Sequence, residues 1–120
     1  MSRHHVVVGA GPVGRHVAAH LAGRGDEVVV VTRSGRDSGV AGARHVALDA
    51  SDAAALTRVT EGAAALYNCA NPGDYTQWER VWPPLATALL ETAERTGAVY
   101  GITGNLYPYG PVTGPMHADL

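Results

Sequence analysis

The stretch Val6-Val7-Val8-Gly9-Ala10-Gly11-Pro12-Val13-Gly14 constrains this chain more than any other. It is an apolar strand running into G-x-G-x-x-G, and an amphipathic helix follows at once. Val13, Val17 and Leu21 recur at i, i+4 and i+8, which predicts a helix from Pro12 to Arg24 with those residues as its buried stripe. Pro12 suits the first turn, where a missing N–H costs nothing, and Gly25 suits the C-terminal cap. A second apolar strand, Glu27 to Thr32, comes next. Strand, glycine turn, helix, strand is the context that gives so short a motif its meaning.

The rest of the chain keeps alternating strand and helix. Ser34 to Gly42 reads as a loop, His45 to Leu48 as a third strand, and Ala53 to Thr60 as a helix with cap candidates in Asp49-Ala50-Ser51-Asp52. A fourth strand, Ala64 to Cys69, meets the turn signal Asn71-Pro72-Gly73-Asp74. Pro83-Pro84 then predicts an interrupted helical region. A short segment covers Thr76 to Val81 and a main helix covers Pro84 to Thr96, closed by Gly97. Leu85, Leu89, Leu90 and Ala93 would form the buried face of that main helix, and Ala98 to Ile102 the fifth strand. Five parallel strands joined by right-handed crossovers give an α/β doubly wound sheet of order 3-2-1-4-5, ending after strand five. Residues 1–120 form one domain.

Composition removes several function classes. The formal net charge is -2, which offers no broad attraction to nucleic acid or an anionic membrane. No apolar run approaches the roughly 20 residues of a membrane span, and the polar start Met1-Ser2-Arg3-His4-His5 does not read as a signal peptide. Cys69 is the only cysteine, so no internal disulfide forms and a cytoplasmic location is expected. All nine basic residues are arginine.

The glycines specify a ligand. Gly9 permits the tight turn, Gly11 lets the backbone approach a pyrophosphate, and Gly14 lets the helix pack against the strand. The helix start, from Val13 directly after Pro12, offers N–H groups and a positive dipole end to that anion. A dinucleotide is therefore the expected partner. Proteins of this pattern that prefer NAD place an acidic residue after the second strand, where this chain has Thr32-Arg33-Ser34. Arg33 pairs with a 2′-phosphate, Ser34 adds a neutral hydrogen bond, and Arg15 and Arg36 reinforce the positive charge, so NADP(H) is expected over the alternative, NAD(H). Asp49, with Ala50 beside it, either meets the adenine amino group or only caps a helix. Asn68, Ala70 and Asn71 end the fourth strand on the same rim, bordering the nicotinamide half.

These residues resemble the extended and atypical short-chain dehydrogenase/reductases, the NAD-dependent epimerase/dehydratase-like group with a Rossmann-type fold. The resemblance is carried by Val6 to Gly14, Thr32-Arg33, Leu48 to Asp52, Tyr67-Asn68-Cys69-Ala70 and Ile102 to Gly110. It implies a catalytic Ser or Thr in the last of these segments. Matching on Tyr109-Gly110 puts Asn105 at that position, with Thr103 two residues earlier. It also implies a Tyr-x-x-x-Lys acid/base pair further on, yet the sequence has no lysine and ends ten residues after Gly110. The resemblance therefore reaches the cofactor-binding portion of a longer architecture, catalytically incomplete as it stands. Tyr109 is the remaining acid candidate.

Other constellations carry less. His16 and His20 lie four apart on the first helix and half-exposed, but lack a third ligand, so no metal site is expected. Cys69 reads as a small buried hydrophobe rather than a nucleophile. Trp78 and Trp82 pack on the sheet or line a substrate pocket, the former being favoured, and Tyr107 and Tyr109 sit in a Gly/Pro-rich tail suited to a small-molecule substrate. The alternative function is a nonenzymatic dinucleotide sensor, since potassium-channel regulatory domains have a similar length and glycine loop. An uncovered sheet edge after strand five predicts a homo-oligomer.

Overall fold

The computed structural model describes residues 4–71, 75–104, 110–111 and 113–116. The strands are β1 (His4–Val8), β2 (Glu27–Thr32), β3 (Arg44–Ala47), β4 (Ala65–Asn68) and β5 (Val99–Ile102). The helices are α1 (Pro12–Gly23), α2 (Ala53–Thr60) and α3 (Trp78–Thr96), the last preceded by a single 3-10 turn, Tyr75–Gln77. The five strands form one parallel sheet ordered β3-β2-β1-β4-β5, as the alternating pattern predicts.

Side chains alternate across the sheet and so fill two separate cores. Val6, Val8, Val29, Val31 and Leu66 point to one face and pack with Leu56 and Leu89 of α2 and α3. Val7, Val28 and Val30 point to the other, against Ala18 and Leu21 of α1. Both faces of β1 and β2 are covered, which is why their sequences are unbroken apolar runs rather than alternating ones.

Two helix faces differ from the periodic reading. Val13 is 48% exposed, and the residues of α1 that meet the sheet are Gly14, Ala18 and Leu21. The close approach of α1 at Gly14 leaves no depth for a valine there, so Gly14 and Ala18 take the contact near the helix start and Leu21 takes it further along. His16 and His20 are exposed rather than half-exposed. In α3, Leu90 is 51% exposed, while Ala88, Leu89, Thr92 and Ala93 form the buried face with Leu85 at its edge. Thr92 is accommodated there with the Thr57 hydroxyl 3.3 Å away.

The Pro83-Pro84 break does not occur: α3 runs unbroken from Trp78 to Thr96. Each proline removes one N–H from the helical ladder. Both are exposed, so water can reach the freed carbonyls one turn back, and the packed stripe holds the helix together from the other side. The capping signals hold. Gly25 takes φ +85 directly after the α1 cap residue Arg24, and the Gly25 and Asp26 N–H groups donate to Ala22 and Leu21. Gly97 ends α3 in the left-handed conformation. No helix among the described residues is long and apolar enough to cross a membrane.

Candidate functional site

A parallel sheet with crossover helices gathers its strand-to-helix turns at one edge, beyond the carboxyl ends of the strands. Here that edge holds a cavity of about 920 Å³. Its floor is the turn after β1. Gly9 has φ +107, and a Cβ there would lie 2.7 Å from the Cys69 carbonyl oxygen. A Cβ on Gly14 would lie 2.0 Å from the Gly9 carbonyl oxygen. Gly9 and Gly14 are therefore fixed by backbone contact. Gly11 differs: nothing lies within 4 Å of its absent side chain. It is the N-cap of α1, with no side-chain cap and no acidic residue in the first turn. The helix thus begins with N–H groups that have no intrahelical partner, beneath open space.

The loop after β2 brings Thr32, Arg33 and Arg36 to the cavity. The Thr32 hydroxyl accepts from the Gly35 N–H, which turns the chain tightly at that point. After β3 come Leu48, Asp49, Ala50 and Ser51. Asp49 is not the cap of α2; that role falls to Asp52, whose carboxylate accepts from the Ala55 N–H. Asp49 instead accepts from both the Ser51 hydroxyl, at 2.7 Å, and the Ser51 N–H. Those bonds, with the Arg33 charge as a smaller contribution, hold its carboxyl below the usual carboxylate range. The cavity therefore presents two guanidinium groups and one firmly ionised carboxylate at the β2–β3 end.

At the other end β4 delivers Cys69, Ala70 and Asn71, and β5 delivers Thr103 and Gly104. Burial pushes the Cys69 thiol up, partly opposed by a hydrogen bond with Thr103, so this cysteine is a poor thiolate and a poor nucleophile. Asn68 does not line the cavity. It is buried, its Oδ1 accepting from the Ala70 N–H and its Nδ2 donating to the Tyr100 hydroxyl. It shapes the turn that carries Ala70 and Asn71.

Gly9, Gly11, Pro12, Val13, Thr32, Arg33, Asp49, Ala50, Ala70, Asn71 and Thr103 thus meet around one space. Arg15 and Ser34 are exposed and lie outside it, and Gly14 acts behind it by packing. Asn105, Tyr107 and Tyr109 fall outside the described residues. Among the described residues no cluster of three His, Cys, Asp or Glu side chains is placed to hold a metal. His16 Nδ1 lies 2.6 Å from the Pro12 carbonyl oxygen, to which it donates.

The fourth side of the cavity comes from α3. Trp78, Val81, Trp82 and Leu85 line it. Their spacing of i, i+3, i+4 and i+7 is one helical face. Of the two readings open to the tryptophans, the structure shows the pocket-lining one rather than the favoured core packing: both are half-buried at the cavity wall. The periodic signal was present and was hidden by treating Pro83-Pro84 as a break.

The sequence signature of the NAD dependent epimerase/dehydratase family matches residues 5–111. The structure is similar to that of a UDP-glucose 4-epimerase, with a TM-score of 0.76 and 23% identity, over 93% of this chain and 38% of that one. It is also similar to MoeE5 in complex with UDP-glucose and NAD, with a TM-score of 0.73 and 22% identity, over 98% and 41%. A uronate dehydrogenase variant from Agrobacterium tumefaciens, complexed with NAD, aligns with a TM-score of 0.65 and 20% identity, over 83% and 40%. The chain thus spans less than half the length of each of these structures. No curated protein matches the sequence significantly.

Proposed function

This chain belongs to the NAD dependent epimerase/dehydratase family, and from that premise we propose that the strand-tip cavity binds a nicotinamide dinucleotide and prefers NADP(H). The residues fit such a group. The uncapped start of α1 under the open space at Gly11 suits a pyrophosphate. Asp49 suits the adenine amino group, and the Cys69–Asn71 and Thr103–Gly104 side suits the nicotinamide half. When bound, the nicotinamide ring supplies hydride transfer.

The observation that carries the NADP(H) preference is the pair Arg33 and Arg36 at the cavity end where β2 stops. An arginine donates and cannot accept, so it favours a 2′-phosphate over a ribose hydroxyl. Within the sequence no lysine is available to lower a tyrosine's proton affinity, so the chain's own contribution is cofactor binding and orientation. Thr103 is the described residue placed to meet a substrate beside the nicotinamide.

Comparative titration with NADP(H) and NAD(H) tests this reading. The expected result is tighter NADP(H) binding, weakened on the order of tenfold or more by Arg33→Ala through the lost charge-assisted contact, with NAD(H) unaffected. Equal or tighter NAD(H) binding in the unmodified chain overturns the preference.

A further inference from the structure

We propose that Trp78 and Trp82 form the stacking wall for the purine base of the dinucleotide; this rests on the reading of the cavity given above. The placement follows from the course of α3. β4 ends at the carboxyl edge and β5 starts at the amino edge, so α3 runs back between them with its first turns at the cavity. Leu85 anchors it. Leu85 packs into the same apolar cluster as Leu48 and Ala50, which lead into the turn after β3. One turn back toward the helix start, Val81 and Trp82 continue that face, and Trp78 carries it a turn further, above the strand tips.

The two indole rings brace each other, with centroids 5.9 Å apart and planes at 83°. Each is partly covered and partly open to the cavity. The Asp49 carboxylate and the Arg33 and Arg36 cations line the same cavity, and the shared cluster of Leu48, Ala50 and Leu85 brings the turn after β3 beside this helix. A flat apolar wall beside one acceptor and two cations matches a purine nucleotide carrying phosphate. The base offers a π face to the indole, its exocyclic amino group donates to the carboxylate, and the phosphate meets the arginines. The turns after β4 and β5, with Cys69, Thr103 and Gly104, bring no aromatic ring of their own to the cavity among the described residues.

The test uses the two halves of the ligand separately. Adenosine 2′,5′-bisphosphate and nicotinamide mononucleotide are titrated into the chain, with indole fluorescence as the readout and calorimetry for affinity. Adenosine bisphosphate should quench the indoles and nicotinamide mononucleotide should not. Trp82→Leu should weaken adenosine bisphosphate and NADP(H) by a common factor of about 5 to 100. Its effect on nicotinamide mononucleotide should be nil, and Trp82→Phe should recover most of the loss. If the leucine variant does not fold, quenching in the unmodified chain decides alone. Two results overturn the wall while leaving the dinucleotide reading intact: NADP(H) binding that Trp82→Leu and Trp78→Leu leave unchanged, or quenching by the nicotinamide half alone. Failure of the folded, unmodified chain to bind any dinucleotide overturns both.

Discussion

At the carboxyl edge of the sheet the polar groups face a cavity; at the amino edge they face one another. Arg33, Arg36 and Asp49 line open space beyond β2 and β3. At the opposite edge His5 is buried beneath the start of β1, with its Nε2 3.3 Å from Asp26 Oδ2. That contact is close but is not aligned as a hydrogen bond. The Tyr67 hydroxyl lies 3.5 Å from His5 Nδ1, its ring stacks on the imidazole, and Arg24 stands 3.9 Å from Asp26. The same sheet therefore separates two uses of polarity. One edge leaves charge available to a ligand, and the other packs its polar side chains against one another to close the fold.

The sharpest way to break that comparison lies within the glycine turn. Gly14→Ala drives a Cβ into the Gly9 carbonyl, and neither backbone segment can give without lifting α1 from the sheet. A loss of about 3 kcal/mol or more is expected in urea unfolding. Gly11→Ala meets nothing within 4 Å and should change stability by less than about 1 kcal/mol, the scale of an N-cap effect. It should nonetheless weaken dinucleotide binding, because its Cβ occupies the approach to the helix start. A stable Gly14→Ala, or a Gly11→Ala that binds normally, removes the distinction between a glycine that supports the floor and one that faces the ligand.

Asp26→Ala probes the other edge. It removes the carboxylate that stands beside the buried His5 imidazole and the Arg24 guanidinium and should cost up to about 1 kcal/mol. Dinucleotide affinity should be unchanged, since Asp26 lies at the far end of the strands from the cavity. A variant whose affinity falls in step with its stability would mean that the two edges are not independent.

What the sequence disclosed follows the same division. The strand order and the glycine floor were legible because each is specified by neighbours: Val6 to Val8 by their own apolar run, Gly9 and Gly14 by backbone crowding within a single turn. Asp49 was undecided, because an aspartate before a helix caps it or does not according to where Asp52 stands, and only the folded turn separates them. The wall of the cavity was one of two readings open to the tryptophans, and the less favoured one, for a different reason. Trp82 reaches the space shared with Asp49 and Arg33 only because α3 folds back across the sheet, a relation no local pattern encodes. Pro83-Pro84 then masked the helical spacing that would have linked Trp78 to Leu85. Helix faces failed in the same manner: Val13 and Leu90 fit the period, but the backbone contact at Gly14 and the packing of α3 against α2 decided which residues were buried.

The smallest expected effect sharpens the account of the amino edge through pH. Burial and the nearby Arg44 charge hold the His4 pKa below its ordinary value, with Glu27 opposing and His5 adding to the depression. Its Nε2 is buried without a hydrogen-bond partner, so protonation places charge where nothing receives it. The unfolded chain then binds the proton more readily than the folded one. Stability from this residue is complete above its unfolded value near 6.5 and is lost as pH falls through the lower folded value. His4→Gln should therefore flatten the fall in urea midpoint between about pH 7 and pH 5 relative to the unmodified chain, and leave dinucleotide affinity at pH 7 unchanged. An unaltered pH profile would show that the amino edge accommodates a charged His4.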